Sequence, residues 1–326
     1  MTTRFALLEL IARTKLDSDT TARLWQLAGF DRPPPTLIPA LGRGLAIAGA
    51  GCAGLGLVFW VAANWGVLSR FQQFALLQAL VAVLCVGTAA MPRARVPLGL
   101  LALVAVGGLF AYFGQTYQTG ADPWQLFALW AGLSLPLALG LRSDVVWSAW
   151  CVVAAAAIFL WARPGGPFDW IFMDRVNMAQ GLAALGAGLL TAAMSAPLRR
   201  YTGAGIWAFG MALLLSAAFV TCTAVANLFG SHHELYWFDV VLAGIAAGIF
   251  AGQTRFDVFA ASVVALALNI MLVAGMAIAI LPSGSSISGL VFTLMLLGIF
   301  AAGMMAGSVK LILDLSRKAV LQGEYA

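Results

Sequence analysis

Charge is the scarcest property of this sequence. Asp, Glu, Lys and Arg make up 10% of its 326 residues, against about 25% in an ordinary soluble domain. A soluble fold of this length keeps much of its surface in water, and so few charges cannot cover it. Disorder is excluded as well, because 62% of the residues are hydrophobic and unfolded chains need the opposite balance. Histidine is nearly absent, with only His232 and His233 in the chain. The four cysteines, Cys52, Cys85, Cys151 and Cys222, all lie in apolar runs without a C-x-x-C spacing. They read as small hydrophobes and supply neither a disulfide framework nor a metal site. The motifs H-E-x-x-H, G-x-S-x-G and G-x-x-x-x-G-K-[ST] are missing, as is an acidic cluster with metal-ligand spacing. The expectation is a non-enzyme without metal or cofactor.

What the sequence has in abundance is long apolar runs, with a mean hydropathy of +0.95. A helix crosses the hydrocarbon core with about 20 mostly apolar residues. Ten runs fit that length, at roughly 43–63, 71–91, 96–113, 124–141, 145–162, 176–195, 204–226, 236–253, 257–281 and 287–308. The expected fold is an all-α membrane protein of about ten transmembrane helices in one bundle. The third, fourth and fifth runs are short and closely spaced, and one of them is the candidate for a re-entrant segment.

Residues 1–40 read as a short cytoplasmic helical leader with a Pro-rich linker, 41–310 as the transmembrane domain and 311–326 as a cytoplasmic tail. In the leader, Phe5, Leu8 and Ile11 recur at helical spacing. Asp17 or Ser18 is placed to cap a second short helix reaching Gly29, with Leu24, Trp25 and Leu27 on it. Pro33, Pro34 and Pro35 end any helix there. The chain opens without a charged segment followed by a short apolar core, so the run from Leu45 is expected to serve as an uncleaved insertion signal.

The net charge is +5, and its distribution carries more information than its size. With ten spans, fifteen of the 18 Lys and Arg fall on the side of the N-terminus, among them Arg93, Arg95, Arg142, Arg199, Arg200 and Arg255. Arg70, Arg163 and Arg175 fall on the other side. The positive-inside rule then predicts both termini to be cytoplasmic. The surplus is an orientation signal, and no nucleic-acid partner is expected.

Small residues recur at four-residue spacing in Ala46, Ala50 and Gly54 and in Gly244, Gly248 and Gly252. Such stripes let helices approach closely. Packing within the bundle is the expected use, with homodimerisation the alternative. Ala62-Ala63-Asn64 echoes Val225-Ala226-Asn227, which is too little to establish an inverted repeat.

The spans contain almost no ionisable groups, and no Asp, Glu or His pair sits mid-span. Asp122, Asp169, Asp174, Glu234 and Asp239 read as extracytoplasmic helix ends or loops, which disfavours proton relays and voltage sensing. Asn269 and Gln180 lie within spans and are expected to form interhelical hydrogen bonds. His232, His233 and Glu234 read as a solvated loop, since adjacent histidines cannot both face one ion without a turn. The loop from Arg163 to Arg175, with Pro164-Gly165-Gly166-Pro167 and Asp169-Trp170, reads as interfacial, and a salt bridge of Arg175 to Asp169 or Asp174 is expected there.

Polar and aromatic residues concentrate in two extracytoplasmic loops, 64–70 and 114–124. One reading is an interfacial aromatic belt with turn chemistry. The other is a ligand pocket: Asn64 and Gln115 offer amide hydrogen bonds, Asp122 a charge, and Trp65, Tyr117 and Trp124 aromatic surfaces. Carbohydrates, headgroups and small polar molecules all suit such a lining.

The series Val61-Ala62-Ala63-Asn64-Trp65, Gly114-Gln115-Thr116-Tyr117-Gln118 and the downstream Trp130 resembles a family of bacterial polytopic membrane proteins, domain of unknown function 2157. Its members share a helical leader with a Trp, a Gly-rich first span ending in Ala-Asn-Trp, and a Gly-Gln-x-Tyr loop before a Trp-containing span. The resemblance covers roughly residues 20–150 and implies a location in the bacterial cytoplasmic (inner) membrane. It implies no activity. The expectation is therefore a non-catalytic multi-pass protein that binds or transports a small polar or lipidic molecule through the extracytoplasmic pocket. The alternative is a structural or assembly component of an envelope membrane complex. Membrane lipids, and either a small polar ligand or a complex partner, are the expected partners.

Overall fold

The computed structural model describes residues 13, 17–27, 37–63, 66, 68–117, 122–162, 175–229, 233–252, 256–280 and 287–323. Among the described residues there are twelve α-helices, two 3-10 turns and no strand. This is the outcome lipid enforces, because a helix satisfies its own backbone where no water can. The chain divides into two compact units, Met1–Cys52 and Ala53–Ala326. In the first unit α1 spans Ser18–Leu27, and the Asp17 carboxylate just before it accepts the Ser18 backbone N–H at 2.7 Å. Phe5, Leu8, Ile11, Gly29 and Pro33 to Pro35 lie outside the described residues.

The remaining helices are α2 (Leu37–Ala63), α3 (Arg70–Ala90), α4 (Arg95–Tyr117), α5 (Pro123–Leu141), α6 (Asp144–Trp161), α7 (Arg175–Met194), α8 (Arg199–Thr202), α9 (Ile206–Phe229), α10 (His233–Ala251), α11 (Val258–Ile280) and α12 (Ile287–Gly323). Among the described residues, nine helices are long and apolar enough to cross a membrane. α7 and the segment Ala196–Thr202, bent by 57° at a short break, pass the same test only together, as a broken span or a re-entrant loop. Pro197 occupies the 3-10 turn at that bend, where a residue without an N–H cannot continue the α-helical ladder. The ten expected runs thus each meet a helix, but the irregular one is the sixth. The third, fourth and fifth (α4, α5 and α6) are continuous.

The turns closing α5 and α8 are left-handed, at Arg142 (φ 48°) and Gly203 (φ 70°). The two turns abut: a Cβ on residue 203 would lie 2.5 Å from the Cβ of Arg142. The Arg142 guanidinium donates to the Arg200 carbonyl, and the Trp147 indole N–H donates to the Thr202 carbonyl at 2.7 Å. Around this joint α4, α5, α6, α7 and α9 bury Leu103, Ala138, Val146, Trp147, Cys151, Met194 and Ala208. A second core joins α7, α9, α10 and α11 through Ala183, Ala187, Phe219, Val220, Ala224, Tyr236, Ala267 and Met271, with Ile158 and Phe159 of α6 packed against it.

The small-residue stripes behave differently from one another. Gly54 is buried against α4, where a Cβ would lie 2.6 Å from Leu101 Cδ2. Gly244 and Gly248 correct the expectation of packing within the bundle, for among the described residues a Cβ on either would meet nothing from another helix within 4 Å. The physical reason is the choice of face. α10 buries Tyr236, Asp239 and Ala243, at helical spacing, and this turns the glycines outward beside the exposed Val241, Ile245 and Ile249.

Candidate functional site

The α3–α4 contact beside the expected site starts with a helix cap. Ser69 caps α3 in a capping box: its hydroxyl accepts the Gln72 N–H at 3.4 Å, and the Gln72 side chain accepts the Ser69 N–H at 2.9 Å. The next residues, Gln73 and Phe74, are thereby presented to the last turns of α4. The Tyr112 hydroxyl donates to Gln73 Oε1 at 2.5 Å, with both residues buried. Phe74 packs on Tyr112 at 4.5 Å and on Tyr117 at 5.6 Å, and Tyr117 packs on Phe113 at 5.0 Å.

Of the sequence-predicted site residues, Asn64 and Trp65 lie outside the described residues. Gln115 is exposed on the last turn of α4, and Tyr117 is 56% exposed at its end. Asp122 is half-buried at the N-cap of α5 without a side-chain capping bond. Trp124, in the first turn of α5, is half-buried, yet its indole nitrogen is fully enclosed and has no hydrogen-bond partner among the described residues. Gly114 keeps the two helices close there, since a Cβ would lie 2.9 Å from Leu126 Cδ1. No hydrogen bond or ring contact among the described residues joins Gln115, Asp122 and Trp124 to one another. Trp130, the aromatic member of the motif, is a packing residue. Its indole donates to the Leu103 carbonyl at 2.8 Å, and its ring lies over Gly107.

A second polar region, at the same helix ends of α7, α9 and α10, was not read from the sequence. Asp239, expected at a helix end or loop, is 5% exposed inside α10. The Thr223 hydroxyl of α9 lies 3.1 Å from its Oδ2. One turn along α9, the Asn227 amide donates to Gln180 Oε1 of α7 at 3.1 Å. The Tyr236 hydroxyl donates to the Met271 carbonyl at 3.1 Å, in a place kept open by Gly275. A signal for Asp239 was available: the run 236–253 already contains it, so it is part of a span. Gln180 makes the interhelical bond expected of it, and so does Asn269, whose Oδ1 accepts from the Ser308 hydroxyl at 3.1 Å. His232 and the segment 163–174 lie outside the described residues.

Fold and sites together define an all-α, multi-pass membrane protein. Residues 9–147 match the family model described as "Predicted membrane protein (DUF2157)", the family that the motifs around Asn64 and Gln115 resemble. The match ends in the first turn of α6, so the polar region of α7, α9 and α10 lies beyond it. Neither curated proteins nor solved structures yield a match.

Proposed function

We propose that this chain is a non-catalytic protein of the bacterial cytoplasmic membrane, with both termini inside, that binds or moves a small polar or lipidic molecule at the α4–α5 turn. The observation that carries this reading is the enclosed indole N–H of Trp124, which has no acceptor among the described residues. A buried donor without an acceptor costs about 1–3 kcal/mol, and an oxygen of an entering ligand removes that cost. The exposed Gln115 amide and Tyr117 ring offer the same ligand a hydrogen bond and a stacking surface. The excess of Lys and Arg at the opposite helix ends supports an extracytoplasmic position for this turn.

The test is a thermal-shift screen of the purified protein with mono- and disaccharides, glycerophosphate and phosphoethanolamine. A stabilising compound should lose its effect in Trp124→Phe and Gln115→Ala, whose unliganded midpoints stay near that of the wild type. A screen in which nothing stabilises, or in which both variants respond like the wild type, overturns the reading.

A specific observation favours a second reading, that of an assembly component. No residue of the span Val291–Ala319 is buried, and α12 presents Phe300, Gly303, Met304 and Gly307 along a shallow groove. A complex partner that co-purifies and is lost when Gly303 and Gly307 are replaced by Leu supports this alternative.

A further inference from the structure

Asp239 lies about 9 Å along α10 from its first residue, at 1.5 Å per residue, and among the described residues the two helices that pack on α10 bring no positive charge to it. The flanking helices α9 (Ile206–Phe229) and α11 (Val258–Ile280) carry no Asp, Glu, Lys, Arg or His. Cys222 on α9 is exposed. On α10 itself Glu234 is exposed, and the Tyr236 hydroxyl is committed to the Met271 carbonyl. Among the described residues the side chain within hydrogen-bond reach is Thr223, and its proton is contested: Oγ1 lies 3.0 Å from the Phe219 carbonyl, 3.1 Å from the Val220 carbonyl and 3.1 Å from Asp239 Oδ2. A hydroxyl has one proton to donate. When a helix carbonyl takes it, the Thr223 oxygen is an acceptor, and the proton between the two oxygens must come from the acid.

We propose that Asp239 is a reversible proton-binding site. In the packing seen here the acid holds its proton on Oδ2 and donates to Thr223. When the α9–α10 contact opens to water, the Oδ2–H bond breaks and the proton passes to water. The Thr223 hydroxyl then turns from the helix carbonyls and donates to the carboxylate. Nothing is oxidised or reduced, and the hydroxyl has a partner in both states. Burial explains why the exchange needs movement, since an isolated ionised carboxylate among apolar helices is strongly disfavoured. The Asn227–Gln180 bond of the α7–α9 contact lies one turn further along α9. This inference does not depend on the ligand proposed above.

The experiment is infrared difference spectroscopy of the full chain in lipid nanodiscs, between acid and alkaline buffer. A protonated-carboxyl C=O band that grows in acid is expected in the wild type and lost in Asp239→Asn. Thr223→Val should shift its frequency, and Asp144→Asn should leave it in place. Asp239→Glu retains an acid at the same position and serves if Asp239→Asn does not fold. A band that is absent, insensitive to pH, or kept in Asp239→Asn overturns the proposal.

Discussion

The carboxylate of Asp144, at the start of α6, accepts the backbone N–H of Gly205 at 2.8 Å from 61 residues further along the chain. The same carboxylate accepts from Trp207 at 3.0 Å and from Ala208 at 2.8 Å. The first N–H groups of a helix have no partner within it, and here another helix supplies the charge that satisfies them and opposes the helix dipole. A Cβ at position 205 would lie 2.4 Å from Asp144 Oδ2, so the contact requires glycine.

Asp144→Ala should therefore destabilise the bundle by about 3 kcal/mol, the upper range for hydrogen bonds to a charged group. Asp144→Asn should cost less, and Gly205→Val should cost at least as much as Asp144→Ala. Thermal midpoints in detergent give the order directly. An Asp144→Ala protein as stable as the wild type would show that α9 does not rely on this cap.

The legibility of this protein divides along a physical line. Whether twenty residues cross a membrane depends on their own composition, and all ten apolar runs were readable for that reason. The face a span turns inward depends on its neighbours. α10 is apolar nearly all round, so nothing local told whether Gly244 and Gly248 or Tyr236 and Asp239 would be buried. The glycines were expected inside and the acid at an end, and α9 and α11 reverse both. The Gln115–Trp124 turn was legible as a place because its residues are neighbours in the chain. The α3–α4 contact beside it was not, since Gln73 meets Tyr112 across 39 residues. The bend after α7 shows the remaining case, in which Pro197 was visible but its effect on a run of adequate length was not.

Gly107 and Trp130 supply a test of packing between α4 and α5. A Cβ at position 107 would lie 2.3 Å from Trp130 Cζ2, and the indole cannot retreat without giving up its bond to Leu103. Gly107→Ala should cost about 1–3 kcal/mol through overpacking. Trp130→Phe frees the space occupied by the outer ring, so the double variant should be more stable than the two single losses add up to. A double-mutant cycle with strictly additive midpoints would refute the contact.

Gly244 and Gly248 should respond in the opposite sense. Among the described residues, no side chain and no backbone of another helix lies within 4 Å of where either Cβ would be, and replacing an exposed helical glycine by alanine gains up to about 1 kcal/mol of helix propensity. Gly244→Ala and Gly248→Ala should thus raise the thermal midpoint of the isolated chain or leave it unchanged, while Gly107→Ala lowers it. Leucine at the same two positions separates the remaining possibilities. Exposed to lipid, it is tolerated like its neighbours Val241, Ile245 and Ile249. Buried against another copy or a partner, it breaks a close helix contact, and the assembled species is lost on size exclusion while the monomer's midpoint is kept. A fall in the midpoint of Gly248→Ala itself would mean that this stripe packs within the chain after all, and the outward orientation of α10 would be wrong.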